Sequence, residues 1–69
     1  MKNKLYIEMA KNEVIDLFSE KYNLDFENAK SIFEKSKTYK VLQDESTRLW
    51  TESSKYILED LEVELDLKQ

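Results

Sequence analysis

Ile7-Glu8-Met9-Ala10-Lys11-Asn12-Glu13-Val14-Ile15-Asp16-Leu17-Phe18 is the stretch on which the fold of this chain turns. Ile7, Ala10, Val14, Leu17 and Phe18 follow the i, i+3, i+4, i+7 spacing of a helix that buries one stripe. Ile15 and Tyr22 widen the stripe on one side and Tyr6 on the other, while Glu8, Asn12, Glu13, Asp16 and Glu20 fill the opposite face. Leu5 and Met9 fall on that polar side, either incidentally or as a small contact patch. The pattern predicts a helix from about Lys4 to Lys21.

Composition extends this reading to the whole chain. There is no glycine and no proline in 69 residues. Tight hairpin turns need positive φ and lean on glycine, whereas helix interiors are damaged by both residues. A hydrophobic fraction of 41% is enough to form a core rather than a disordered chain. The expectation is one all-α domain over residues 1–69, a compact bundle of three to four short helices.

Downstream, Asp25 reads as the N-cap of a second helix and Glu27 suits the positive end of its dipole. Phe26, Ala29 and Phe33, with Ile32 beside them, give it one apolar edge, fading near Ser36-Lys37. A third segment, Thr38 to Trp50, carries Tyr39, Leu42, Ser46 and Leu49 as a stripe, flanked by Val41 and Trp50. Its middle is polar enough for the helix to stop there instead.

Thr51 and Ser53-Ser54 signal the start of a last helix, whose core stripe is Ile57, Leu58, Leu61 and Leu65. Residues 61–67 also alternate in the manner of a strand. Helix is favoured, because Glu and Asp are poor strand formers; an edge strand or a frayed end is the alternative. On a different side of the same helix lie Tyr56, Val63 and Leu67, a second apolar edge. Two readings compete for it: core of a central, sandwiched helix, or an interface for a partner or for self, with Trp50 nearby. Glu52, Glu59, Glu62 and Asp66 line a third face, either a solvated surface or one that docks on a basic partner.

Several functions lose their chemistry. The chain has no histidine and no cysteine, so disulfides, thiolate metal sites and the His- or Cys-based triads and dyads cannot be built. Phosphate-binding loops and EF-hand loops need glycine at fixed places. No cofactor or metal is expected, and no enzymatic activity. Net charge is −4, with −1 in residues 1–35 and −3 in residues 36–69, which disfavours direct binding to nucleic acid. Lys35, Lys37 and Lys40 are the only local basic cluster, too few for a phosphate-contact surface. No stretch reaches the roughly 18 apolar residues of a membrane span, and the basic start at Lys2 and Lys4 is not followed by the apolar run of a signal peptide. Cytoplasmic location is the default expectation.

Ala29 to Phe33, Tyr39 to Leu42, and then Leu49-Trp50-Thr51-Glu52-Ser53-Ser54-Lys55-Tyr56-Ile57-Leu58-Glu59-Asp60-Leu61 resemble a group of short bacterial proteins of unknown function. In that group a Leu-Phe motif precedes Tyr-Gly-Val, then Leu-His-Thr-Gln-Gly, and finally Tyr-Ile-Val-Glu-Asp-Ile. The likeness covers roughly residues 12 to 65, and its most specific part is Tyr56-Ile57-Leu58-Glu59-Asp60-Leu61. Trp50 stands where the group has His, Ser53-Ser54 replaces Gln-Gly, and Thr38-Tyr39-Lys40-Val41 lacks the Gly. The resemblance implies a compact helical domain with an antitoxin-like or accessory role, since members are sometimes encoded near toxin-like proteins. From the residues themselves, the expectation is a protein-interaction module working through its C-terminal helix, with a possible homodimer among its forms. The alternative is an acidic inhibitor or decoy of a nucleic-acid-binding protein, of the phage or antitoxin type.

Overall fold

The computed structural model describes residues 2–67. Four helices follow one another: α1 (Lys2–Tyr22), α2 (Phe26–Glu34), α3 (Lys37–Gln43) and α4 (Ser54–Glu64). Two 3-10 turns, Glu45–Thr47 and Leu49–Thr51, link α3 to α4. Among the described residues there is no strand, and the all-α bundle read from the sequence is what forms. The long helix α1 is the platform on which α2, α3 and α4 pack, and α3 also packs on α4.

Each short helix begins on a side-chain cap. Asp25 accepts from the Asn28 amide at 2.7 Å, as the sequence suggests. Ser36 accepts from the Tyr39 amide at 3.0 Å, and its own hydroxyl donates to the Phe33 carbonyl at 2.6 Å. That double use stops α2 at Glu34, just short of the expected fade, and starts α3 at once. Ser53 caps α4 through the Tyr56 amide at 3.1 Å.

The segment 38–50 is not one helix. Asp44 leaves the helical region and caps the first 3-10 turn through the Ser46 amide, and Arg48 sits at φ 60° between the two turns. Leu42 and Leu49 are both buried, so the stripe seen in the sequence reaches the core by a bent path.

With no glycine available, α1 and α4 end on substitutes for it. Asn23 (φ 55°) follows α1 and Asp66 (φ 61°) follows the Leu65 cap of α4, both in the left-handed region. In each case the next residue bonds back across the turn: the Leu24 amide to the Ser19 carbonyl at 2.9 Å, and the Leu67 amide to the Glu62 carbonyl at 2.8 Å. These are the six-to-one bonds of Schellman ends, and the leucine after each turn folds onto apolar surface. Leu24 and Leu67 accordingly line one apolar depression with Phe18, Tyr22, Ile32 and Leu65.

Val14, Ile15, Phe18, Ala29, Phe33, Leu42, Ile57 and Leu61 form the sealed centre of the core. The Cα envelope is 33 × 24 × 19 Å. α4 packs on α1 and α3 while Tyr56 and Val63 on its other side are exposed, so it is not sandwiched.

Candidate functional site

The inner face of α4 is complete: Ile57, Leu58, Leu61 and Glu62 are all buried. Its outer face is not covered. Tyr56 is 48% exposed and Val63 65% exposed, although neither residue type gains from standing in water. At 100° per residue they lie within about 20° of each other on the helix. The sequence-derived edge therefore exists as a surface for these two residues.

Leu67 does not belong to that edge. The helical wheel placed it there by continuing α4 to residue 67, but the helix stops at Glu64 and the left-handed turn at Asp66 swings Leu67 away. It lies instead beside Leu24 and Ile32, 47% exposed. Trp50 is likewise engaged elsewhere. Its ring stacks on Tyr6 of α1 at a centroid distance of 6.3 Å, and its Nε1–H donates to the Glu45 carbonyl at 3.0 Å. The neighbour of Trp50, Leu49, is the residue that reaches the Val63 side.

Between α3 and α4 runs an open groove of about 300 Å3, with Val41, Leu49 and Val63 as its apolar lining and Lys37 and Asp60 on opposite walls. Its geometry is fixed by Glu64, whose carboxylate accepts from the Lys37 amide (2.8 Å), the Thr38 amide (2.9 Å) and the Thr38 hydroxyl (2.8 Å). Burial pushes the Glu64 carboxyl up, yet these donors and the Lys37 charge outweigh it, and the group sits below the ordinary glutamate range. A side chain of α4 thus closes the N-terminus of α3 and locks the two walls together.

The four acids expected on one face are dispersed. Glu62 is 1% exposed: its carboxylate accepts from the Tyr22 hydroxyl and pairs with Lys21 Nζ at 2.7 Å. This corrects its assignment to an acidic surface. Position 62 lies one helical turn beyond the buried Leu58, and that spacing, with Lys21-Tyr22 ending α1, is the signal that a face-by-face reading passes over. Glu59 is half-buried and lines a separate cleft of about 460 Å3 between α1 and α4, together with Leu17, Lys21, Lys55 and Leu58. Glu52 and Asp66 are exposed, before and after the helix. Glu20 and Glu62 also line that cleft, so its three carboxylates share it with Lys21 and Lys55 and it presents no field of one sign.

Among the described residues, no group of three or more Asp or Glu side chains is gathered closely enough to hold a metal ion. No described helix is long and apolar enough to cross a membrane. No protein-family model matches the chain, and no curated protein and no solved structure shows significant similarity to it.

Proposed function

We propose that this protein is a small non-enzymatic interaction module that associates through the outer face of α4 and the adjoining α3–α4 groove. One observation carries the proposal: Tyr56 and Val63 are exposed on a helix whose inner face is already filled by Ile57, Leu58 and Leu61. Apolar residues set among charged ones, here Lys37, Asp60 and Lys40, form the pattern of an interface core with its rim. An antitoxin-like or accessory role fits such a module, since these roles rest on occupying a partner's surface rather than on chemistry. Cytoplasmic work beside a bacterial protein partner is the setting we assign to it.

The acidic-decoy reading has less behind it. A decoy needs its carboxylates arrayed in solvent, and Glu62 is inside the fold while Glu59 is half-buried.

Immobilised protein exposed to an extract of its native cells tests the proposal. The wild type retains a protein, itself or another, that Val63→Asp does not retain. Equal retention by both would place association elsewhere or dispose of the interface altogether.

A further inference from the structure

The two walls of the α3–α4 groove differ in sign. On α3, Lys37 lines the groove with Val41, which is itself 43% exposed, and Lys40 stands exposed on the same helix outside the lining. On α4, Asp60 and Val63 are exposed. Glu64 is committed to the N-terminus of α3, so Asp60 is the carboxylate that this wall offers outward. Among the described residues, no ion pair closes Lys37 or Lys40 onto Asp60 across the groove. Lys37 therefore stands on one wall and Asp60 on the other, with two exposed valines between them.

A surface that meets its own copy about a two-fold axis must complement itself, because each residue faces what its equivalent faces in reverse. A face of one sign fails that condition. This face meets it: a two-fold axis along the groove lays Lys37 of one copy against Asp60 of the other, twice, and brings Val41 and Val63 together at the centre. Resting on the interface reading above, we infer that the occupant of the α3–α4 groove is a second copy of this chain. The net charge of −4 opposes pairing only weakly, since a Debye length of about 8 Å at physiological salt leaves close pairs dominant over distant repulsion. The face is one α4 long and two helices wide, on the order of 16 by 20 Å. That is roughly 640 Å2 over both copies, below the ~1,200 Å2 at which standard specific interfaces begin, so the pair is a weak, transient one that dissociates on dilution.

Sedimentation equilibrium of the full chain from about 10 μM to about 1 mM tests this. The mass rises from 8.3 kDa toward twice that value, less steeply at high salt. Asp60→Lys, which removes no hydrogen bond of the fold, weakens association about tenfold or more, and so does Lys37→Glu. Both changes in one chain restore it, because the swapped walls again match. If Lys37→Glu fails the circular-dichroism check of its fold, Asp60→Lys alone decides. A monomer throughout the range overturns the inference, and so does self-association that neither swap weakens. The interface reading fails separately, if Val63→Asp retains every protein that the wild type retains.

Discussion

Glu64 and Thr38 are joined twice, the Glu64 carboxylate accepting from the Thr38 backbone N–H at 2.9 Å and from its hydroxyl at 2.8 Å. The contact spans 26 positions of sequence and ties the last helix to the first turn of α3. A seven-residue helix is too short to hold itself in water, so its stability and its placement come from such outside partners. Because the same contact sets the two walls of the groove, the proposed interface depends on it.

Replacing Glu64 with Gln keeps the shape and removes the charge that favours three donors. We expect a loss of about 1 kcal/mol in urea unfolding at neutral pH. The pH dependence follows from the depressed pKa of the group. Its contribution is complete above the unfolded glutamate value and is lost as pH falls through the folded one. Glu34, held down by the hydrogen bond from Lys11, and Asp44, held down by the Ser46 hydroxyl and amide, act in the same direction. Wild-type stability therefore drops from about pH 5 downward, and the gap between wild type and Glu64→Gln narrows over the same range. A gap that widens on acidification would assign the contact the wrong sign.

Tyr22→Phe takes one donor from a carboxylate that is almost wholly buried. Leaving a buried acceptor short of a donor costs about 1–3 kcal/mol, and the loss is readable as a lower denaturation midpoint with the slope unchanged. Lys21 supplies the opposite charge to this buried carboxylate, so Lys21→Met, which takes that compensation away, costs at least as much as Tyr22→Phe.

What the sequence revealed follows from the range of the forces involved. The apolar stripe of α1 and the Asp25 cap are local patterns, and the structure has both. The break at Asp44 was visible only as a polar run, because the turn that follows depends on Arg48 adopting positive φ, which no propensity announces. Tyr56 and Val63 were legible as a second edge since the wheel is valid inside α4. Leu67 and Glu62 were misplaced for opposite reasons. Leu67 lies beyond the end of α4 at Glu64, where helical periodicity no longer applies. For Glu62 the deciding partners, Tyr22 and Lys21, are about forty residues away in the chain.

The glycine-free helix ends leave room for improvement. Asp66→Gly and Asn23→Gly each place the one residue without a Cβ where φ is positive. Each raises stability by about 0.5 kcal/mol, and the pair adds nearly independently, since the two turns meet only through the apolar depression that Leu24 and Leu67 both line. Thermal melts of the single and double variants measure this. A destabilised Asp66→Gly would mean that its side chain, rather than its backbone, secures the turn.

Interior truncation gives the scale for these effects. Leu61→Ala removes a side chain with no exposure and costs about 2–5 kcal/mol. For a domain of this size that is most of its stability, and we expect a melting temperature lowered by more than ten degrees or a chain unfolded at room temperature.

The division of α4 into a core face and an association face is tested most directly by chemical unfolding of Val63→Asp at a concentration low enough to keep the protein monomeric. The account predicts the wild-type helical signal and a stability within about 0.5 kcal/mol of wild type, as for a surface substitution. Loss of several kcal/mol, on the scale of Leu61→Ala, would show that Val63 is part of the core and that α4 has no free face.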